Sequence, residues 1–409
     1  MSEWKETEFG QIPAEWEFKT ISSIKSNEKG AISMGPFGSN IKAENFVSSG
    51  VPVIRGSNLN YDKFVNGEFV YLTEEKADEL KGSNCKAGDL VFTHRGTIGQ
   101  VGIIPEGKFD RYVISQSGMK LSVDPKLIDK EFLFYFFKSK YGQFQLLKTE
   151  SQVGVPSISN PLTSLKAIEV PVPKLSEQAA IAEVLNSLDD KIDLLHLQNK
   201  TLEQLAETLF RQWFLEEAEE GWEEKGIDEI AEFLNGLACQ KYPVKIGEVG
   251  LPVIKIKELR TGITDSSDLA TNDIPEKYLV NNGDMLFSWS GSLDILIWSG
   301  EKGVLNQHLF KVSSDVFPQW FYYFWVKYHL PEFQGIAEDK ATTMGHIQRH
   351  HLTSAKVLIP PKEKLIEKDK TINSIFEKIK INQIQIRTLT QLRDTLLPKL
   401  VSGEVRVKI

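Results

Sequence analysis

The sequence predicts an α+β chain: two pseudo-symmetric mixed α/β globules separated by two long antiparallel helices in coiled-coil contact. Three observations predict it. The string TLEQLAETLF at residues 201–210 returns as TLTQLRDTLL at 388–397, identical at six of ten positions with an offset of 187 residues. Each copy closes a helical segment that follows an aromatic-rich region ending in prolines, VPVP at 170–173 and IPP at 359–361. Apolar residues in both helical segments recur at alternating intervals of four and three, the spacing of a coiled-coil seam.

At 409 residues the chain exceeds the size at which one core keeps growing. The repeat divides it into a first globule over 1–174, a first long helix over 175–220, a second globule over 221–361, and a second long helix with a C-terminal tail over 362–409. The globules share a frame. WEFKTISSI (16–24) matches WEEKGIDEI (222–230), PVIR (52–55) matches PVIK (252–255), GDLVFT (88–93) matches GDMLFS (283–288), and LTS (162–164) matches LTS (352–354). Gln116 with Lys120 matches Gln307 with Lys311. These short apolar or β-branched runs between Gly, Pro, Asn and Asp read as strands and turns. FLFYFF (132–137) and WFYYFWV (320–326) are too short for a membrane span of roughly 18 residues and read as core.

The first seam is Ile181, Leu185, Leu188, Ile192, Leu195, Asn199, Leu202, Ala206, Leu209 and Trp213. The second is Ile372, Ile375, Ile379, Asn382, Ile386, Leu389 and Leu396, interrupted by Arg393 and predicted to stop at Pro398, which lacks the N–H a helix needs. One Asn on each seam would fix register at a cost in stability, or else face water. With Ser176 as its start and Glu216 as its end, the first helix would span roughly 60 Å at about 1.5 Å per residue. Leu194, Leu205, Phe210 and Leu392 lie off the seam and widen the stripe, as a surface for a further subunit would.

A net charge of −8 sits uneasily with phosphate binding, but it is unevenly placed. It is +1 over 15–173, −7 over 174–220, −5 over 222–361 and +5 over 362–409. An acidic first helix and a basic second one suit two rods lying together, or simply two solvated faces. Cys85 and Cys239 lack the paired spacing of a disulfide framework or a zinc site, so no metal is expected. The acidic, non-apolar start MSEWKETEFG argues against export and for a cytoplasmic protein.

Two related globules on two related rods suit contact with one long object at two places, and DNA is such an object. Where the halves differ they carry polar side chains on Gly-rich loops, the groups that pair with base edges and phosphates. The candidate DNA-contacting residues are Ser39, Asn40, Arg55, His94, Arg95, Gln116 and Gln152 in the first half. In the second they are Gln240, Lys241, Lys255, Trp289, Ser290, His308, Thr343, His346 and Arg349. No catalytic residue is assigned. Asp62 with Glu74 and Lys76 imitates a nuclease acid and ExK, but ExK recurs at 223–225 and 338–340, and no GxSxG marks a hydrolase nucleophile. A helical scaffold that binds only protein is the remaining alternative from another class.

In this order the motifs resemble the specificity subunit of type I restriction-modification systems. The resemblance rests on MGPFGSN (34–40), GVPVIRG (50–56), GDLVFTHRGTIG (88–99), the helical run 187–214, LPVIK (251–255), GDMLFSWSGS (283–292), TTMGHIQRHHL (342–352) and LLPKLVSGEVRV (396–407). It implies two target-recognition domains, each reading half of a bipartite double-stranded DNA sequence. It also implies that the helix seams dock two methyltransferase subunits, which in turn bring motor-endonuclease subunits. No NPPY or DPPY run and no GxxxxGK[ST] loop occurs, so S-adenosylmethionine, ATP and Mg are expected in those partners rather than in this chain. A modification-only enzyme, or another restriction type using the same module, would carry the same sequence features.

Overall fold

The computed structural model describes residues 4–408 apart from 9, 60–61 and 340–344, with the side chains of Ser39 and Asp339 also outside the description. The chain forms two compact units, residues 1–190 with 391–409, and residues 191–390.

Besides two hairpins of its own, Trp4–Thr7 with Gly10–Pro13 and Glu150–Ser151 with Ser157–Ile158, the first unit has the strands β1 (Glu17–Thr20), β2 (Ile32–Met34), β3 (Val51–Ile54), β4 (Val70–Leu72), β5 (Asn84–Cys85), β6 (Leu90–Thr93), β7 (Val101–Ile103), β8 (Tyr112–Ile114), β9 (Gly118–Leu121) and β10 (Glu169–Val172). They form two four-stranded sheets, ordered β4-β3-β8-β5 and β2-β9-β6-β7, and the pair β10-β1. Strands β3 and β8 are parallel, while their other neighbours are antiparallel. Helices α1 (Lys130–Lys138) and α2 (Lys140–Leu147) cover the second sheet, and α3 (Leu175–Arg211) follows β10.

The second unit repeats this. Its strands are β11 (Glu223–Gly226), β12 (Glu232–Asn235), β13 (Leu251–Ile254), β14 (Leu269–Ala270), β15 (Leu279–Val280), β16 (Met285–Ser288), β17 (Ile295–Ile297), β18 (Gly303–Leu305), β19 (Leu309–Ser313) and β20 (Lys356–Ile359). Their orders are β14-β13-β18-β15, β12-β19-β16-β17 and β11-β20, so adding ten to each strand number converts the first unit into the second. Even the register repeats: Ile54 pairs with Ile114, and Ile254 with Leu305. Helix α4 (Gln319–Asp339) takes the place of α1 and α2, and α5 (Lys362–Ser402) closes the chain.

Local sequence explains these elements. The strand β3 is VPVI, every residue buried, as a β-branched run enclosed in a sheet should be. Asp129 caps α1 by accepting the N–H groups of Glu131 and Phe132, and Ser139 ends α1 and caps α2. All of Phe132–Phe137 is buried, and burial of each such ring contributes on the order of 2–3 kcal/mol. In the second unit WFYYFWV lies on α4, and Trp320, Phe321, Phe324 and Trp325 pack with Phe210 and Phe214 of the α3 end.

The two LTS segments, expected in strands or turns, are helical, within Pro161–Ala167 and Arg349–Ser354. Pro161 at the first helical position supplies the φ a helix start needs. Pro398 does not stop the second helix, which runs on to Ser402. The turn beyond Pro398 buries Leu400 and Val401 in the first core, which offsets the lost hydrogen bond. The helix ends instead at Gly403, at φ +74°, where a side chain would meet Pro13 at 2.6 Å. Phe210, expected to widen the outer stripe, is a core residue, whereas Leu194, Leu205 and Leu392 are exposed.

The helix portions run antiparallel within each unit. In the first, Ile181 and Leu185 of α3 share a core with Leu400 and Val401 of α5, and Arg393, which breaks the apolar spacing, donates to Asp189 at 2.9 Å. In the second, buried Asn382 donates to Asn199 and to Gln198, each at 2.8 Å, so the two seam asparagines meet. Ile372, Phe376 and Ile379 are buried on the same unit's α5 portion. No helix among the described residues is long and apolar enough to cross a membrane.

Candidate nucleic-acid interface

In each unit the frame gathers the segments that differ between halves at one end of the sheets. In the first, the parallel strands β3 and β8 stop together, and Ser115 N–H bonds to the Ile54 carbonyl at 2.9 Å. This sets Arg55 beside Ser115, Gln116 and Ser117 around a hollow of about 250 Å³ that Ile41 and Phe46 also line. The loop after β2 lies against the same turn because Gly35 has no side chain: a Cβ there would sit 1.8 Å from the Ser115 oxygen. That loop carries Asn40, which is exposed, at the end of the turn Gly38–Asn40.

The loop after β6 joins them. His94 N–H bonds to Ser117 O at 2.9 Å, Ile158 N–H to His94 O at 2.9 Å, and Gly96 N–H to Pro156 O at 2.9 Å. The last two bonds tie Arg95 and Gly96 to a hairpin whose turn carries Gln152. Arg55, Arg95, Gln116 and Gln152 are exposed, and neither arginine has a carboxylate partner among the described residues.

The second unit repeats the scaffold with other side chains. A Cβ at Gly236 would lie 2.2 Å from the Asn306 oxygen, and Gln307 N–H bonds to Leu237 O at 2.8 Å, so the turn carrying Gln240 and Lys241 lies where Asn40 does in the first unit. Ile347 N–H bonds to Trp289 O at 3.0 Å and Gly291 N–H to Gly345 O at 2.8 Å, matching the Arg95 ties. Trp289 donates its indole N–H to Asn235 Oδ1 at 2.9 Å, and its ring centre lies 5.9 Å from His308 and from Phe310. Ser290 Oγ and His308 Nδ1 are 2.9 Å apart, and His346 stands edge-on to Trp289. Lys255 is paired with Asp268, whose carboxyl it holds below the usual carboxylate range. Arg349 donates to Phe233 O at 3.4 Å and lies over the Phe310 ring.

Two expected contact residues are turned inward in the free chain. His94 is 7% exposed, its Nε2 has no hydrogen-bond partner, and burial pushes its pKa down; Ser290 is 3% exposed. Thr343 and the Ser39 side chain lie outside the described residues. The remaining candidates fall on the gathered loops, except Arg349, which opens the helix Arg349–Ser354.

Sequence reasoning passed over Asn235, which orients Trp289, and Arg260, which donates to Ser292 Oγ at 2.6 Å. It also passed over Phe37, 74% exposed on the loop beside Gln116, although Phe37 stands in the MGPFGSN run. The residues that imitate a nuclease acid and ExK are engaged elsewhere: Asp62 with Asn66, Glu74 with Arg111 and Lys76 with Glu79.

Comparison with known proteins agrees with this duplicated frame. The family described as type I restriction modification DNA specificity domain matches residues 13–204 and again 219–394. The MjaIX specificity subunit of Methanocaldococcus jannaschii is 28% identical over 444 aligned positions, covering 100% of this chain and 97% of that one. The EcoKI specificity subunit of Escherichia coli K12 is 22% identical, covering 97% and 90%. The crystal structure of a type I S subunit from M. genitalium shares the fold with a TM-score of 0.57 at 17% identity, each chain covered to 96%. Two family matches on two copies of one frame make this chain a member of the type I restriction-modification DNA specificity family, a specificity subunit.

Proposed function

We propose that each unit reads one half of a bipartite DNA target through its gathered loops. The long helices then set the gap between the half-sites and dock methyltransferase subunits, which bring motor-endonuclease subunits. One observation carries this: two units with the same strand order and register place unlike side chains at the same end. A common frame with unlike loops is how one fold addresses two sequences. The first unit would use Arg55, Arg95, Gln116, Asn40 and Gln152, the second Gln240, Lys241, Lys255, Trp289, His308, His346 and Arg349. His94 and Ser290 would support their loops from beneath.

Methyltransferase docking is supported by apolar residues that neither unit covers. Leu194, Leu197 and Leu205 on α3 and Ile381, Ile384 and Leu392 on α5 are exposed. S-adenosylmethionine, ATP and Mg belong in this reading to the partners, and this chain contributes recognition without catalysis. Coexpression with the methyltransferase subunit, followed by mapping of methylated adenines in host DNA, tests the reading. A split motif with a fixed gap is expected, and a contiguous motif or no methylation would overturn it.

A further inference from the structure

The 187-residue offset relates α3 to α5, so each polar contact on the seam has a counterpart whose chemistry can be compared. Glu177, in the first turn of α3 and 4% exposed, receives Arg406 Nε at 2.5 Å and Nη2 at 2.9 Å. The same guanidinium reaches Glu15 at 2.7 Å and lies 5.9 Å over Trp16. The offset puts Lys364 in the place of Glu177 and Glu219 in the place of Arg406. In the second unit these two pair with each other, and Lys364 lies 5.9 Å over Trp222, the match of Trp16. The latch is the same and its polarity is reversed.

The interior contacts are equally one-sided. Asp189 pairs with Arg393, and their counterparts Phe376 and Ala206 are both buried in the apolar core of the second unit. Asn199 pairs with Asn382, and their counterparts are Ile386 and Leu195.

We propose that these contacts form a pairing code: α3, with Glu177 in its first turn and Glu219 in the segment after its last, accepts α5, with Lys364 in its first turn and Arg406 in the segment after its last, and rejects a second copy of itself. If two copies of α3 paired with this geometry, Glu219 would meet Glu177 and Glu15, Asp189 would face Ala206, and Asn199 would face Leu195. Two copies of α5 would set Arg406 against Lys364, Arg393 against Phe376 and Asn382 against Ile386. Each of these polar groups then loses its partner on the facing helix, and Glu177 becomes a buried carboxylate facing another carboxylate, which is strongly unfavourable. The apolar residues cannot make this distinction, because the duplication gives both helices similar stripes. A duplicated chain has particular need of it, since its first half emerges from the ribosome with a complete apolar seam before the second half exists. The code concerns which helix pairs with which and holds whatever the loops read.

Thermal unfolding of intact charge-reversed chains tests it. E177K is expected to lower the melting temperature by about 5 °C or more. Adding R406E should restore most of the loss, whereas adding K364E, an identical change in net charge, should deepen it. Rescue by both or by neither would overturn the code. Independently, a protease site inserted between Glu220 and Gly221 allows the folded protein to be cut, unfolded, refolded and weighed by native mass spectrometry. Only complexes of one 1–220 and one 221–409 fragment are expected; like-fragment pairs at their statistical share would overturn the code.

Discussion

The loop ends of the two units share backbone ties and differ in how their side chains are held. In the first unit neither Arg55 nor Arg95 has a carboxylate partner among the described residues, and Gln116 and Gln152 on the same loops are exposed. In the second, Lys255 is paired with Asp268, Arg349 rests on Phe310, and Trp289, Ser290, His308 and Asn235 are joined by hydrogen bonds and ring contacts. The first surface presents exposed cations with no carboxylate partner among the described residues. The second is pre-organised: its groups are fixed before any ligand arrives, which lowers the ordering cost of binding. The net charges of +1 and −5 for the two globules follow the same division.

The comparison breaks most visibly at Trp289. Trp289→Ala removes the Asn235 hydrogen bond and the wall against which His308 and Phe310 pack, with a loss of roughly 2–4 kcal/mol of local stability. Hydrogen exchange should quicken around 289–292 and 307–310 and stay unchanged in the first unit. Methylome mapping should show the second half-site degraded and the first intact. If both half-sites relax together, the two surfaces do not work separately.

Arg95→Ala should produce the mirror result with a smaller effect. Loss of one base-contacting arginine costs about 1–3 kcal/mol of specific binding and relaxes one position of the first half-site. Binding of the assembled complex to substituted duplexes checks this, position by position. The ties from His94 O and Gly96 N–H to the hairpin remain in the variant, so its folding should be unaffected.

The frame was legible in the sequence because duplication acts as an internal control: matched strings such as GDLVFT and GDMLFS mark strands that occupy equivalent positions. The seam asparagines were legible from heptad spacing, although their contact with each other was not. Pro398 misled because its effect depends on what the following turn buries, which spacing alone does not reveal. Among the candidate contacts, the convergence of three loops rests on backbone hydrogen bonds and on Gly35 and Gly236, and neither leaves a residue-type signal. His94 is a candidate contact in the sequence because it stands in a polar, Gly-containing string; the strand ending at Thr93 turns it inward.

A smaller effect separates the units by pH. Burial holds the His94 pKa below its unfolded value of about 6.5, so the neutral ring's contribution is complete above that pH and is lost as pH falls through the folded pKa. Protection of the amides at residues 94–97 and 115–118, corrected for the pH dependence of intrinsic exchange, should therefore be lower at pH 5 than at pH 7. The equivalent position in the second unit is Trp289, which does not titrate, so this source of pH dependence is confined to the first. His94→Gln should remove it.

The finest distinction is between a paired and an unpaired cation. Lys255 and Arg55 hold equivalent positions after β13 and β3, yet Asp268 pairs with the lysine and no carboxylate among the described residues pairs with the arginine. A cation already neutralised by a carboxylate must exchange that partner for a phosphate, so it releases fewer counterions on binding than a free one. Asp268→Asn removes the competitor without changing the loop's size. The salt dependence of DNA binding by the assembled complex should then steepen by up to about 0.9 in the log–log slope, the contribution of one additional phosphate contact. Arg55→Ala should shallow it by a similar amount. An unchanged slope for Asp268→Asn, beside a shallower one for Arg55→Ala, would mean that Lys255 does not reach phosphate and that the second surface recognises DNA through its fixed aromatic and imidazole groups alone.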